Sequence, residues 1–194
     1  MSYSFVGIAV GDTNLYGYVA GMQNLVFRRA TPDDADRVSA ISREAYGPAY
    51  YPLIHTLPRP ATEDYQPWIG KGLVWLCEDR GNLVGVLVLE KHLAFWMIWS
   101  VAVDPVHQGR GLGGRLLEVA MELAQREDVS RLRLHTNSRM KNNIALYRKA
   151  GFRQTNVIPH PSHPGHSLVY MELDLGGTSE RKLSCHDPRM PNGL

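Results

Sequence analysis

The stretch VAVDPVHQGRGLGGRLL, residues 101–117, decides the fold that we predict for this chain of 194 residues. An apolar run ends at Asp104-Pro105, four glycines follow within positions 109–114, and a helical pattern begins at Leu112. Glycine lets the backbone turn tightly and expose its N–H groups, and the first turn of a helix carries partial positive charge. The stretch therefore predicts a strand, a phosphate- or pyrophosphate-binding loop and a helix, in that order.

Two familiar phosphate-binding motifs fit this loop poorly. Gly109, Gly111 and Gly114 satisfy G-x-G-x-x-G, but the next strand ends in residues 135–137, HTN, without an acidic residue for the ribose of a dinucleotide. The nucleoside-triphosphate loop needs Lys followed by Ser or Thr, where this chain has RL at 115–116. A turn that only packs a helix on a sheet is the plain structural alternative. We expect Arg110 and Arg115 to add positive charge at the rim of the loop.

Predicted strands and helices alternate on both sides of this loop. Residues 31–34, TPDD, form a strong helix start, because a capping residue, a proline and two acidic residues stand in sequence. The stretch from Gly47 to Pro60 is rich in Pro and Tyr and is predicted to be irregular. We predict strands over 25–29, 73–78, 83–90, 95–103, 131–136 and 167–175, and helices from 31 and over 62–70, 112–126 and 143–150. This order predicts an α/β (α+β) fold with one mixed central sheet and helices on both faces.

The length of the chain predicts a single domain with two less regular ends. We expect residues 1–23 to form an N-terminal arm, residues 24–175 to form the domain and residues 176–194 to form a polar tail. Met22 leaves a second interpretation open, in which the preceding residues extend a natural start. A glycine-rich arm could exchange onto a second copy of the chain, so a homodimer is left open.

The composition excludes several classes of partner. The formal net charge is only +2, which is too small to favour binding to nucleic acid. The apolar run over residues 93–103 is shorter than the roughly 18 residues of a membrane span, so no membrane is expected. Cys77 and Cys185 are too few for a disulfide framework and are expected to be reduced thiols. The expected compartment is the cytoplasm.

The loop Gln108-x-x-Gly111-x-Gly113 resembles the Q/R-x-x-G-x-G/A loop of the GNAT superfamily of N-acetyltransferases. Residues 146–152, LYRKAGF, resemble the family's L-Y-x-K-x-G-F segment, and residues 27–34, FRRATPDD, resemble its first strand and helix start. The resemblance covers about residues 24–175. It implies one acetyltransferase domain whose mixed sheet splays apart between two parallel strands, with acetyl-CoA bound as co-substrate in that cleft.

The resemblance also implies roles for individual residues. The backbone of Val101, Ala102 and Val103 would bind the pantetheine arm. The pyrophosphate would be held by the loop residues Gln108, Gly109, Arg110, Gly111, Leu112, Gly113 and Gly114. Tyr147 stands where the family has the tyrosine that protonates the leaving thiolate, and a phenol with a pKa of about 10 suits that role. A tyrosine that only packs on an amphipathic helix is the alternative.

The chain departs from the family's pattern at one cofactor contact. Met140 stands where many members have Asn, seven positions before Tyr147, and Asn143 is the candidate substitute. Two residues are candidates for the general base: Glu90 ends the strand next to residues 95–103, and His135 ends the strand on the other side of the splay. Each is equally compatible with a solvated strand end.

The acceptor is expected to be a primary amine of a small molecule or a peptide, which attacks the thioester directly without a covalent enzyme intermediate. It would enter across residues 45–57, where Tyr46, Tyr50, Tyr51 and His55 provide aromatic walls. Trp96 and Trp99 either reach this pocket or pack in the core.

Three evenly spaced histidines, at positions 160, 163 and 166, are the remaining pattern with chemical potential. Prolines at 159, 161 and 164 lie among them, so a loop of solvated histidines is favoured over a metal site. The sequence thus predicts an acetyl-CoA-dependent N-acetyltransferase without a metal. A non-catalytic acyl-CoA-binding or sensor module with the same fold is the alternative.

Overall fold

An eight-stranded sheet forms the centre of the computed structural model, which describes residues 14–19 and 22–176, with side chains from residue 25 onward. The strands are β1 (Asn14–Val19), β2 (Met22–Arg29), β3 (Val74–Asp79), β4 (Asn82–Lys91), β5 (Trp96–Val103), β6 (Arg131–Asn137), β7 (Arg153–Pro159) and β8 (Ser167–Asp174). The helices are α1 (Ala35–Ile54), α2 (Gln66–Gly70), α3 (Leu112–Arg126) and α4 (Lys141–Lys149). Within the described residues, no helix combines the length and the apolar character needed to span a bilayer.

The expected N-terminal arm is described only in part. Within it, β1 pairs with β2 in antiparallel fashion at the edge of the sheet. Residues 1–13, 20–21 and 177–194, which include Cys185, lie outside the described residues. The division of the chain at residues 23/24 and 175/176 therefore stays a prediction.

The sheet opens between its two parallel strands. The strand order is β1-β2-β3-β4-β5-β6-β8-β7, and every neighbouring pair is antiparallel except β5 and β6. The β5–β6 ladder pairs only Trp96 with Leu132 and Met97 with Arg133. Beyond these two pairs the strands separate, leaving residues 98–103 of β5 and 134–137 of β6 unpaired with each other. We call this gap the β5–β6 opening; it confirms the predicted splayed, mixed sheet.

A β-bulge in β5 lies next to the opening. Val88 of β4 pairs with Ser100 and Leu89 pairs with Ile98, so Trp99 is the extra residue. A bulge reverses which side chains face each side of the sheet. Before it, Trp96 and Ile98 belong to the core beneath α3, and after it Val101 and Val103 pack against that same core. The bulge thus turns two valines toward the cleft described below.

Helices cover both faces of the sheet, as the order of elements predicts. On one face, α3 buries a stripe that includes Leu112, Leu116, Leu117, Ala120, Leu123 and Ala124. On the other face, α1 and α2 bury Val38, Ile41 and Ile69 against β3 and β4. The bounds of α3 match the predicted helix over 112–126, because its apolar residues recur with a clear helical period.

Helix α1 is longer than predicted. It continues through Pro48 and Pro52 to Ile54, whereas the sequence predicts an irregular stretch from Gly47. Proline removes a backbone donor and normally ends or kinks a helix. Here the last turns of α1 place Tyr46 and Tyr50 in the β5–β6 opening, where their hydroxyl groups contact β5 and β6.

Strand β7 is absent from the sequence prediction, because it lacks an alternating pattern of buried residues. Six of its seven residues are exposed, and only Ile158 is half-buried. It forms an edge of the sheet through its pairing with β8. An exposed edge strand of this kind is recognised from its pairing and not from its composition.

Arg28 fastens the start of α1 to the sheet. Its guanidinium group donates to both carboxylate oxygens of Asp34, at 2.8 and 2.9 Å, and to Glu78 Oε1 at 2.7 Å. Asp34 Oδ2 also accepts hydrogen bonds from the backbone N–H and hydroxyl of Thr31. The hydrogen bond from Arg28 is the main reason why the pKa of Asp34 lies well below its usual range. A lowered native pKa stabilises the fold above the unfolded-state pKa of about 4 and loses this effect as the pH falls.

We predict that Asp34→Asn lowers the free energy of unfolding by about 1–3 kcal/mol at pH 7, because it leaves Arg28 with one carboxylate fewer. The difference between the variant and the original protein should shrink from pH 5 to pH 3. Urea unfolding at both pH values measures this, with exposed Glu44→Gln as the control. An equal loss in both variants, or a loss from Asp34→Asn that does not depend on pH, would contradict the assignment.

Candidate active site

A cleft of about 340 Å³ lies at the carboxyl end of β5. Its walls come from α1, from β5, from the loop after β5 with the first turn of α3, and from α4. Among the described residues that line it, none carries a carboxylate, an imidazole or a basic group. The cleft therefore offers hydroxyl, amide and backbone groups in a largely apolar setting, which suits a neutral arm of a ligand better than a charged one.

The loop between β5 and α3 is built by local hydrogen bonds. Asp104 Oδ1 accepts from the backbone N–H of Val106 at 3.0 Å, and Gln108 Nε2 donates to the carbonyl oxygen of Val103 at 3.0 Å. Gly109 and Gly111 have φ angles of +74° and +87°, a conformation that strains any other residue. Among the residues that the structure describes, no side chain caps the N-terminus of α3, so its first N–H groups are open to an anion.

Most residues assigned to the co-substrate lie in the walls of this one cleft. They are Val101, Val103, Gln108, Gly109, Gly111, Leu112, Gly113, Gly114 and Asn143, and Tyr147 joins them. The side chain of Ala102 points to the opposite face of the sheet, into the core beneath α1 and α2. Arg110 lies in the loop with an exposed side chain that is not part of the wall.

One expectation about charge at the rim of the loop needs correction. Arg115 was expected at the rim of the loop, but its guanidinium group lies over the ring of Phe27 and donates to Glu118 and Glu122, each at 3.0 Å. These contacts hold it along the side of α3, away from the open N–H groups at the start of the helix. The anion site thus depends on backbone groups, with no contribution from Arg115.

Glu90 is not brought to the cleft. Strand β4 runs antiparallel to β5, so its carboxyl end pairs with the amino end of β5, and Glu90 lies opposite Met97. Met97 belongs to the closed part of the β5–β6 ladder. The carboxylate of Glu90 lies 3.6 Å from His92 Nε2 at the surface. The sequence predicts correctly that the strand of Glu90 lies next to β5. Because this strand runs antiparallel to β5, Glu90 lies at the end of the sheet opposite the cleft.

His135 lies on the open part of β6, two residues beyond the last pair with β5. Its ring packs on Tyr170 of β8, with 5.4 Å between the ring centroids. The side chain of His135 is exposed, but partial desolvation against its neighbours lowers the pKa of the imidazole, so the ring is neutral near neutral pH. It is not part of the cleft wall.

Tyr147 projects from α4 into the cleft and is 9% exposed. Its ring lies edge-on to Phe152, and Gly113 lets α4 approach α3 closely, since a Cβ there would lie 3.2 Å from Leu146. Burial raises the pKa of Tyr147 above its ordinary value of 10.0. The phenol is therefore protonated throughout the neutral range, as a proton donor must be.

Two further tyrosines, Tyr46 and Tyr50, span the β5–β6 opening from α1. The hydroxyl of Tyr46 lies 3.0 Å from the carbonyl oxygen of Val101 and 3.2 Å from its nitrogen. The hydroxyl of Tyr50 lies 3.5 Å from Thr136 Oγ1 on β6. From the sequence, both residues are predicted only as aromatic walls of an irregular stretch. Their spacing of four positions, matched by Ala45 and Ala49, was the signal of a helical face.

The other aromatic and histidine patterns lie outside the cleft wall. Trp96 is buried in the core beneath α3, and Trp99 packs against Tyr65 and Trp68 on the other face, so both pack in the core. The rings of residues 160, 163 and 166 are neighbours in the β7–β8 loop, with centroids 4.4 and 6.3 Å apart. Within the described residues, no group of three or more potential ligands is arranged to hold a metal ion.

The cleft combines an opened sheet, a glycine-rich loop and a buried tyrosine. This combination defines the class of group-transfer domain that the sequence resembles. The chain belongs to the acetyltransferase (GNAT) family, whose model matches residues 39–152. A mycothiol acetyltransferase from Clavibacter michiganensis subsp. michiganensis is 30% identical over 130 residues, which are 66% of this chain and 42% of the relative. A mycothiol acetyltransferase from Beutenbergia cavernae is 30% identical over 105 residues, 53% of this chain and 35% of the relative. The chain thus spans less than half the length of these curated relatives.

Solved structures agree with the fold. The PaiA N-acetyltransferase of Thermoplasma acidophilum, in complex with coenzyme A, covers 78% of this chain and 99% of its own, with a TM-score of 0.66 and 15% identity. YncA of Salmonella typhimurium, a putative acetyltransferase with its cofactor acetyl-CoA, covers 79% of this chain and 95% of its own, with a TM-score of 0.62 and 23% identity. At these identities the likeness is one of fold.

Proposed function

We propose that this protein is an acetyl-CoA-dependent N-acetyltransferase that transfers the acetyl group directly to a primary amine of a small molecule. The observation that carries the proposal is the convergence of three features on one cleft. These are the unpaired segment of β5, the open N-terminus of α3 and the hydroxyl of Tyr147. Each corresponds to one part of the donor: the pantetheine arm, the pyrophosphate and the sulfur.

In the proposed orientation, the donor has its pyrophosphate at the start of α3 and its sulfur near Tyr147. Its pyrophosphate would bind the backbone N–H groups from Gly109 to Gly114, where two glycines hold the left-handed conformation. Its pantetheine arm would lie along Val101 and Val103, taking the place of a neighbouring strand. Asn143 of α4 also lines this path and is the proposed substitute for the Asn that Met140 replaces.

The reaction forms a C–N bond and breaks a C–S bond. The neutral amine attacks the thioester carbonyl, the sulfur leaves as a thiolate, and Tyr147 gives it a proton. The nitrogen loses a proton, which we assign to water or to His135, since Glu90 lies at the closed end of the ladder. Tyr147 is then reprotonated from solvent. A positioned proton donor of this kind contributes about 10²–10⁴-fold to a rate.

The acceptor is assigned by class. The walls of the cleft are assigned to the donor, so the names of the curated relatives carry the choice of a small molecule over a peptide. The curated relatives are named mycothiol acetyltransferases, so an amino thiol related to mycothiol is a natural first acceptor to test. A non-catalytic acyl-CoA-binding or sensor module is the alternative, and it predicts donor binding without turnover.

Release of free CoA thiol from acetyl-CoA, measured against a panel of primary amines, tests the proposal. The panel should contain small neutral amines, amino thiols related to mycothiol and amine-bearing peptides. We expect a small amine to accelerate thiol release, with the acetylated amine identified by mass spectrometry. Donor binding without turnover on any amine would support the non-catalytic module, and the absence of donor binding would contradict both functions.

A further inference from the structure

The hydroxyl of Tyr46 occupies the main-chain position that the missing strand leaves open on β5. Val101 lies in the part of β5 that has no partner on β6. Tyr46 Oη is 3.0 Å from the carbonyl oxygen of Val101, 3.2 Å from its nitrogen and 3.1 Å from Ser100 Oγ. One side chain therefore satisfies both backbone groups of a residue in the opened sheet.

The hydrogen-bonding capacity of this hydroxyl is fully used. A phenol has one proton to donate and two positions at which to accept. It donates to the carbonyl of Val101 and accepts from the N–H of Val101, and the Ser100 hydroxyl donates to the remaining position. This is the combination of donor and acceptor that an amide of a neighbouring strand would supply. The pantetheine arm of CoA contains two such amides.

We propose that the hydroxyl of Tyr46 makes, in the free protein, the hydrogen bonds to Val101 that the acyl donor makes in the complex. CoA binding then displaces this hydroxyl from Val101. The inference rests on the proposed function, since it takes the pantetheine arm as the ligand of Val101. In the free protein, Tyr46 keeps the opened edge of β5 hydrogen-bonded. In the complex, a pantetheine amide makes the hydrogen bonds to Val101, and the phenol of Tyr46 turns away from Val101 into the cleft. Tyr46 thereby weakens donor binding, and it is a positioning residue without a chemical step.

This exchange predicts an unusual consequence of removing the hydroxyl. Tyr46→Phe loses hydrogen bonds in the free protein, but it loses fewer in the complex, where the donor already satisfies Val101. The free state is destabilised more than the bound state, so the affinity for CoA increases. A tyrosine that only held the ligand or the fold would have the opposite effect or none.

Titration calorimetry of the full chain with CoA tests the inference. We expect Tyr46→Phe to lower the Kd for CoA about 3- to 10-fold, the effect of about one net hydrogen bond. Ser100→Ala, which removes one partner of the same hydroxyl, should lower it by a smaller factor. The matched control is Tyr170→Phe, because the half-buried ring of Tyr170 lies on β8 against His135, outside the cleft wall. This control should leave the Kd unchanged.

A second probe separates the pantetheine contact from an effect on the loop. A CoA fragment that lacks the pantetheine arm binds only the glycine-rich loop, so its affinity should be the same in Tyr46→Phe and in the original protein. Weaker or unchanged CoA binding by Tyr46→Phe would overturn the inference, and so would an equal gain for the fragment. Failure of the original protein to bind CoA would instead contradict the proposed function. Ser100→Ala provides the same comparison if Tyr46→Phe does not fold.

Discussion

Replacing Tyr147 with phenylalanine is expected to lower kcat for acetyl transfer about 10²–10⁴-fold while the affinity for acetyl-CoA changes little. The substitution removes one oxygen and preserves the ring, so the edge-on contact with Phe152 and the packing of α4 are retained. Without this phenol, the two tyrosines of α1, Tyr46 and Tyr50, are the remaining phenols among the described residues of the cleft wall that could protonate the leaving thiolate. Steady-state thiol release and calorimetry with acetyl-CoA measure the two effects separately.

The control for this prediction is Tyr65→Phe, which removes a buried hydroxyl outside the cleft wall and should leave kcat within about twofold. The pH dependence adds a second test. Because burial raises the pKa of Tyr147, its deprotonation should not reduce kcat anywhere below pH 10. An unchanged kcat in Tyr147→Phe would refute the role of Tyr147, and a large loss of donor affinity would show that the residue binds and does not donate.

Substituting Gly111 with alanine is expected to raise the Kd for CoA about 10- to 100-fold, the loss of one or two hydrogen bonds to a charged group. Gly111 precedes α3 with a φ of +87°, and an alanine there either adopts a strained backbone or rotates the loop out of this conformation. Rotation of the loop would turn the first N–H groups of α3 away from the pyrophosphate. Calorimetry with CoA measures the loss directly.

Gly81→Ala is a matched control for the backbone strain. Gly81 lies in the turn between β3 and β4 with a φ of +79°, and open space surrounds the position of its absent Cβ. Both variants should lose about 1–2 kcal/mol of unfolding free energy, because both place alanine in the left-handed region. Only Gly111→Ala should also lose affinity for CoA. Comparable CoA binding by the two variants would show that the loop does not hold the donor through its backbone.

The parts of this fold that the sequence predicts well are those with a strong local cause. The four glycines between β5 and α3 require special backbone angles, and the apolar residues of α3 recur with a helical period, so loop and helix are predicted together. The family resemblance adds the position of Tyr147, and the structure places it in the wall of the same cleft. These features depend on neighbours in the chain or on a motif, and little on long-range pairing.

The features that the sequence does not predict depend on long-range geometry. Glu90 is misplaced because the direction of β4 relative to β5 decides which end of the sheet it occupies. The short connection over residues 92–95 is the signal in the sequence for an antiparallel pair, which puts Glu90 at the closed end of the ladder. The last turns of α1 are missed because Pro48 and Pro52 argue locally against a helix, whereas contacts with the opened sheet favour one. The same contacts explain why the sequence predicts Tyr46 only as a wall of an irregular stretch and not as a hydrogen-bonding partner of β5.

Thermal unfolding of the full chain with saturating CoA, acetyl-CoA or NAD tests the central claim most directly, since it requires no knowledge of the acceptor. A ligand at 100 times its Kd adds about 2.7 kcal/mol to the stability of the native state, which corresponds to a rise in Tm of several degrees at this size. We predict that CoA and acetyl-CoA raise the Tm by this amount and that NAD does not. A Tm unchanged by CoA and acetyl-CoA, or raised equally by NAD, would contradict the assignment of the cleft as an acetyl-CoA site.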